Sequence, residues 1–381
     1  MGDPDKISFA MSEHIPQIVL TGGPCGGKTT ALAYLNEKLS DLGYRVFIVP
    51  EAATMLITGG VNDIADIIEN KPEKHYGFQK ELVKTQGRLR ERFLSLARIF
   101  PDEKCVILLD RAEMDAMAYM GRESFARLMK EVDQSVEEIR DSYDAVVHMV
   151  TAADGAEEAY SHENNPARYE TPEKAVENDR KVQNAWVGHP KLKIIDNSTD
   201  FENKLKRTNQ VIMHVLGLPV PLEIERKYLL ASPPDLQDEA FANAQIIDLQ
   251  QMYLLTPDVQ ETRLRKRSQA GKSTFYRTQK FSITSTTRSE TENVITEEEY
   301  LNLQSLRDPS RRILNKKRCC FVFENQYFEL DMIPGSPPLY LLEIELTEEN
   351  DKLTLPPFLN IEREVTGEKE YSNSYLALFP E

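Results

Sequence analysis

Apolar residues in this chain follow two different rhythms. Up to about residue 216 they come in short unbroken runs, within Gln17–Thr21, Arg45–Val49, Cys105–Asp110, Asp144–Val150 and Leu192–Ile195. Such runs fit strands buried on both faces. Between them the spacing is helical: Thr29–Leu42 is amphipathic, and Phe78, Leu82, Leu89, Phe93 and Leu96 recur at helical intervals through Gly77–Phe100. This alternation from Ile15 to Leu216 predicts an α/β domain, a parallel sheet with helices on both faces. One stretch breaks the rhythm. Asp154–Asn184 is polar, carries two prolines and ends as a charged helix, which predicts a mobile lid rather than core.

Past Gly217-Leu-Pro-Val-Pro221 the helical patterns become brief and alternation with period two takes over. That change predicts an antiparallel β domain, a barrel, running to the C-terminus. The expected boundaries are therefore 15–216 and 217–381. Two domains also suit a chain of 381 residues, which is too long for one ordinary core.

Charge narrows the partners. A net charge of −16 argues against non-specific nucleic-acid binding, so no nucleic-acid partner is expected. No run reaches the roughly 18 apolar residues of a membrane span, and Met1–His14 has no apolar signal segment. Cys25, Cys105, Cys319 and Cys320 form no C-x-x-C pairing, as expected of a reduced, cytoplasmic protein without a transmembrane segment.

The segment Gly22-Gly-Pro-Cys-Gly-Gly27-Lys28-Thr29 satisfies the G-x-x-x-x-G-K-[S/T] phosphate loop, between a strand and a helix as that motif requires. Gly22, Gly23, Gly26 and Gly27 let backbone N–H groups cradle a polyphosphate at a helix N-terminus. Lys28 would reach the β- and γ-phosphates, the Thr29 hydroxyl would coordinate Mg²⁺, and Thr30 completes the phosphate-binding turn. Asp110, ending a strand, would hold the Mg²⁺ shell through water; the lesser alternative is a cap on the next helix. Arg111 and Asp115 share that strand–helix junction. Glu51 points at the crevice where open α/β sheets bind ligands, to orient a substrate hydroxyl or water or to form a buried ion pair. Arg168, within the polar lid, would close on the transferred phosphoryl group, and Arg180 is a weaker candidate. Asn197, beside Asp196, lies where a base is contacted. ATP and GTP both remain open.

The β half segregates charge by face. Positions 223, 225 and 227 of Glu-Ile-Glu-Arg-Lys share one face of a strand. So do Arg263, Arg265 and Arg267; Lys316 and Arg318; Glu329 and Asp331; and Glu343 and Glu345. Their neighbours Phe328, Leu330, Leu342, Ile344 and Leu346 are apolar and would face a packed layer. One such strand reads as a solvated face. Several of them, some acidic and some basic, read as the lining of a cavity that grips a polyphosphate and its divalent cations.

Gly22–Thr29, Val49-Pro-Glu51-Ala-Ala, Leu109-Asp-Arg111-x-x-x-Asp115 and Asn165-Pro-Ala-Arg168-Tyr-Glu-Thr resemble the nicotinamide-riboside-kinase-like AAA family over roughly residues 15–216. A second resemblance covers about 221–379. Glu223-x-Glu225-x-Lys227, Gln251-Met-Tyr253-Leu, Arg263-x-Arg265, Lys280, Arg288-x-Glu290-x-Glu292, Lys316-x-Arg318, Glu343-x-Glu345 and Arg363-Glu-Val-Thr366-Gly resemble the CYTH, or triphosphate tunnel metalloenzyme, superfamily. That resemblance implies an eight-stranded antiparallel tunnel. It implies phosphate contacts from Lys227, Arg263, Arg265, Lys280, Lys316 and Arg318. Mg²⁺ or Mn²⁺ would sit on Glu223, Glu225, Glu343 and Glu345, with Asp331 or Glu329 assisting. Glu290 and Glu292 belong to the same motif set.

The two halves together resemble the TRPL translocation defect family, which implies GTP binding and phospholipid-linked trafficking. The sequence thus predicts a nucleoside-triphosphate-binding protein whose tunnel hydrolyses an inorganic or organic triphosphate with metal-activated water. The alternatives are a GTP-dependent switch whose tunnel binds an anionic phospholipid headgroup, and cyclase chemistry in the same tunnel.

Overall fold

The computed structural model of the chain describes residues 14–61, 63–159, 171–218, 224–256, 261–282, 288–347 and 351–378. Five strands form the first sheet: β1 (Gln17–Thr21), β2 (Tyr44–Val49), β3 (Lys104–Asp110), β4 (Ala145–Met149) and β5 (Leu192–Ile195). All pair in parallel, in the order β2-β3-β1-β4-β5, with β1 central and β5 at an edge. A parallel sheet needs cover on both faces, and alternate residues of each strand supply two cores.

Val19, Ile107, Leu109 and Val146 face one layer, while Ile18, Leu20, Leu108 and Val147 face the other. Nine helices cover the sheet: α1 (Lys28–Asp41), α2 (Ala52–Thr58), α3 (Ile64–Asn70), α4 (Pro72–Ala97), α5 (Ala116–Met120), α6 (Arg122–Glu131), α7 (Val136–Asp141), α8 (Pro172–Trp186) and α9 (Phe201–Val215), counted among the described residues. Leu32, Leu35 and Leu39 of α1 pack with Leu205 and Ile212 of α9 on one side. Val83 of α4, Phe125 of α6 and Val182 and Trp186 of α8 pack on the other.

Residues 160–170 of the expected lid lie outside the described residues, and only its helical end is corrected here. Its latter part is α8, whose Ala175, Asp179, Val182 and Trp186 lie on one buried face. A run that looks charged in sequence is core because its few non-polar residues share one stripe.

The second sheet runs β6 (Ile224–Leu230), β7 (Gln245–Leu254), β8 (Glu261–Gln269), β9 (Lys272–Ser282), β10 (Arg288–Ile295), β11 (Leu314–Phe323), β12 (Gln326–Ile333), β13 (Leu339–Leu346) and β14 (Ile361–Glu364). It is antiparallel throughout, ordered β10-β9-β8-β7-β11-β12-β13-β6-β14. There are nine strands rather than eight. The additional one is the four-residue β14, which joins β6 through a register shift between Ile361 and Arg363.

Residues paired across an antiparallel ladder point to the same face, so the register decides what lines the sheet. Glu345 pairs Glu225, Glu343 pairs Lys227 and Glu329, and Asp331 pairs Arg318. Arg265 pairs Gln251 and Tyr276, and Glu292 pairs Thr278. One face of one sheet therefore carries the charged set. The other carries Phe328, Leu330, Leu342, Ile344 and Leu346, which bury against Phe241 and Leu359.

The two halves touch along one end of this face. Val187 packs with Ile247, Leu249 and Cys320, and Arg267 forms a buried ion pair with Asp141 of α7. At the tip of the β11–β12 hairpin, Glu324 and Asn325 take positive φ. Asn325 donates to Asp154 (3.0 Å) and accepts from Gln183 of α8 (2.9 Å). Lys193 of β5 meets Glu345, and Lys191 helps depress the pKa of Glu292. Lys316 of β11 and Lys227 of β6 stand three places apart in the strand order, about 14 Å across a flat sheet, yet they reach Asn373 (3.0 Å) and the Tyr371 carbonyl (3.5 Å), two residues apart in the C-terminal segment. The sheet is therefore curled.

Candidate functional site

The loop after β1 wraps the start of α1. Gly22 has φ 135°, and a Cβ there would meet the Met149 carbonyl oxygen at 2.1 Å; one on Gly26 would meet it at 2.6 Å. Only glycine allows the loop this close to β4. Gly27, with φ 91°, leads into α1. Lys28 Nζ donates to the carbonyls of Gly22 (2.9 Å) and Gly23 (2.7 Å). Burial, reinforced by the Arg111 charge, lowers its pKa to about 8. Thr29 and Thr30 are exposed and line, with Gly26, Gly27 and Lys28, a cavity of about 1340 Å³ that extends to α2–α4.

Asp110 enters the same cavity, and its buried Oδ1 has no hydrogen-bond partner. Burial raises its pKa, with Glu51 and Asp115 adding to the effect against Lys28 and Arg111. An orphaned buried carboxylate oxygen beside Lys28 and Thr29 fits a divalent cation, which would supply its missing partner. Glu51 accepts from Arg111 Nε (2.7 Å), and Arg111 sits at φ 67°. Asp115 is fully engaged. Its Oδ2 accepts from Thr21 (2.7 Å) and lies 3.4 Å from Arg111 Nη1, while Oδ1 accepts from Trp186 Nε1 (2.6 Å).

Asn197 braces the cavity wall. Its amide donates to the carbonyls of Thr151 and Asp154 (2.7 Å each), and its Oδ1 accepts from Lys204 Nζ (2.6 Å). Asp196 accepts from Arg207 (2.7 Å). Arg180 is exposed on α8. Arg168, Glu223 and the Glu290 side chain lie outside the described residues.

In the curled sheet, anionic and cationic side chains interleave. Lys227 Nζ lies 2.8 Å from Glu343 and 3.2 Å from Glu225. Arg318 donates to both oxygens of Asp331 (2.6 and 2.7 Å), to Glu343 (2.9 Å) and to Glu329. Lys316 pairs with Asp331 and donates to Asn373 (3.0 Å), so Asp331 is spent on holding two cations. Glu292 lies 3.4 Å from Arg265 and 3.8 Å from Arg263. Burial opposes its ionisation, but Arg265, Lys191 and Arg263 hold it down at about 2. Lys280 lies on β9 opposite Glu290 and Glu261.

Glu225 behaves differently. Burial and the adjacent Glu343 raise its pKa despite Lys227, and Glu345 adds to the rise. Among the described residues no three acidic, histidine or cysteine groups converge as a preformed cation site. Glu225, Glu343 and Glu345 nonetheless share one face of the sheet, and carboxylates are the donors that a divalent cation takes.

Three participants escaped the sequence reading. Asp179 of α8 accepts from the Gly23 N–H of the phosphate loop and lies 3.1 Å from His148 Nε2. Lys204 donates to the Val150 carbonyl (2.7 Å). Lys193 reaches the curled sheet from the other half. The i, i+4, i+7, i+11 stripe of Ala175, Asp179, Val182 and Trp186 was the available signal for α8; nothing local marks the lysines.

The two geometries define the class: a phosphate-loop nucleotide-binding half joined to an antiparallel sheet lined for polyphosphate. Residues 17–204 match the AAA domain family. The second half is 34% identical over 158 residues to the inorganic triphosphatase of Nitrosomonas europaea, covering 41% of this chain and 97% of that one. Through this half, the chain belongs to the inorganic triphosphatase family. Among solved structures it is similar to an inorganic triphosphatase (31% identical, 42% of this chain and 97% of that one, TM-score 0.31). It is also similar to NadR protein in complex with NR (14% identical, 55% and 53% covered, TM-score 0.38). No described helix is long and apolar enough to cross a membrane.

Proposed function

We propose that the chain is a two-site phosphate enzyme, with units at 15–216 and 217–381. In this reading the tunnel half hydrolyses a small triphosphate, and the phosphate-loop half binds ATP or GTP and hydrolyses or transfers its γ-phosphate. The observation that carries the proposal is the shared face of Glu225, Lys227, Arg263, Arg265, Lys316, Arg318, Glu343 and Glu345, with apolar residues on the reverse. Arg263, Arg265, Lys316 and Arg318, with Lys227 and Lys280, would bind and orient the phosphates, their attraction for the anion strengthened where water is excluded.

Glu223, Glu225, Glu343 and Glu345 would hold Mg²⁺ or Mn²⁺, which when bound screens the triphosphate and lowers the pKa of water. In the other half, Thr29 and Asp110 would hold the nucleotide's Mg²⁺, with Arg168 closing on the γ-phosphate.

Phosphate release from tripolyphosphate, ATP and GTP by the full chain, with Mg²⁺ and with Mn²⁺, tests this. Lys28→Ala should abolish nucleotide binding yet keep tripolyphosphate release. Glu223→Ala with Glu225→Ala should do the reverse. A folded wild-type protein that binds nucleotide but releases nothing from tripolyphosphate would overturn the hydrolase reading and favour a nucleotide switch.

A further inference from the structure

The curled sheet has two ends. At one, Lys316 and Lys227 meet the C-terminal segment, through Asn373 (3.0 Å) and the Tyr371 carbonyl (3.5 Å), above a plug of Leu314, Ile333, Leu341 and Val365. At the other, Glu225, Glu329 and Glu345 face β5, the edge strand of the parallel sheet, which packs against β12. Between them lies a cavity of about 70 Å³ lined by Lys191, Lys193, Glu225, Glu329, Glu343 and Glu345. Most ligand pockets for drug-sized molecules exceed roughly 300 Å³, so this opening suits a phosphate group rather than a nucleoside.

We propose that Lys193 is part of the triphosphate site: the nucleotide-binding half supplies the cation that closes the open mouth of the tunnel and positions the terminal phosphate of the substrate. This rests on the tunnel being a triphosphate site. The Lys193 side chain keeps 13% of its surface exposed, whereas Glu345, its partner, keeps 47%. The lysine is therefore held in place while the carboxylate side of the pair faces open space. An ammonium on a four-carbon stem can turn from one oxyanion to another without backbone movement.

Every other described cation placed on the tunnel's triphosphate belongs to the antiparallel half, and Lys227, Lys316 and Arg318 are each matched with carboxylates deeper in. A triphosphate threaded among them projects its last group toward Lys193 and Lys191. With one end plugged and the other closed by β5, the site selects short chains.

The test is steady-state hydrolysis of tripolyphosphate by the full chain, with direct calorimetric binding of tripolyphosphate in Ca²⁺, comparing wild type, Lys193→Met and Lys193→Arg. Loss of a charge-assisted hydrogen bond to phosphate should raise KM and Kd about tenfold or more in Lys193→Met while kcat changes less than threefold. Lys193→Arg should restore most of the affinity. Lys193→Met should also relax the discrimination against longer polyphosphate chains.

KM and Kd within twofold of wild type in Lys193→Met would overturn the proposal and leave the triphosphatase reading intact. The proposal is equally overturned if both variants lose affinity in proportion to a lowered urea midpoint, since the role of Lys193 is then structural. A wild type that neither binds nor hydrolyses tripolyphosphate would overturn the function reading, and this inference with it.

Discussion

Asp179 offers the most direct trial of how the phosphate loop is held. Its buried carboxylate takes the Gly23 N–H on one oxygen and faces His148 Nε2 on the other. Asp179→Ala leaves a buried backbone donor and a buried imidazole nitrogen without a partner. Each such loss costs about 1–3 kcal/mol, and relief of the carboxylate's own burial returns part of it, so a net loss near 3 kcal/mol is expected. Asp179→Asn keeps the volume and one acceptor oxygen for Gly23, and should cost about half as much.

The chain carries its own reporter. Trp186 is the single tryptophan, fully buried on the same helix and hydrogen-bonded to Asp115. Its fluorescence during urea unfolding therefore follows the element that holds Asp179. Nucleotide affinity should fall about tenfold in Asp179→Ala, equivalent to about 1.4 kcal/mol, because the loop loses the anchor at Gly23 that fixes its shape around the phosphates. An unfolding free energy within about 0.5 kcal/mol of wild type would refute the energetic argument, using that figure as the usual scale of a neutral surface change. Lost stability with unchanged nucleotide affinity would refute the link from α8 to the loop.

Two further outcomes follow from buried charges. Arg318→Met strands Asp331, Glu329 and Glu343 without their shared guanidinium; breaking a buried pair this way should cost about 3–5 kcal/mol, read as a drop in urea unfolding free energy. Lys28, with its pKa lowered to about 8, is charged below that pH and neutral above it, so nucleotide binding should take up a proton at pH 9 and none at pH 6.5. Calorimetry in buffers of different ionisation enthalpy measures that uptake, and Lys28→Arg should abolish it.

The strands of the parallel sheet were legible almost to the residue because strands buried on both faces write themselves as apolar runs. Gln17–Thr21 and Leu192–Ile195 match the expected limits, and β2–β4 differ by single residues at their ends. The charged lining was legible for a related reason: a period of two assigns faces without knowledge of partners. Long-range pairing left no such trace. Asp179 looks like one more charge on a polar helix, and Lys193 like a lysine on a short edge strand. Their meaning comes from Gly23 and Glu345, 156 and 152 residues away. The lid expectation failed over α8 because composition was weighed over the helical stripe ending in Trp186.

The seam between the halves also orders events during synthesis. Asp141 and Val187 leave the ribosome well before Arg267 and Cys320, which complete their contacts. At roughly 5–20 residues per second, a lag of this length leaves the first half alone on the order of ten seconds. Through that interval a buried-to-be carboxylate and an apolar patch face water. The parallel sheet must therefore stand on its own two cores, and its finished surface becomes the template on which the later strands close.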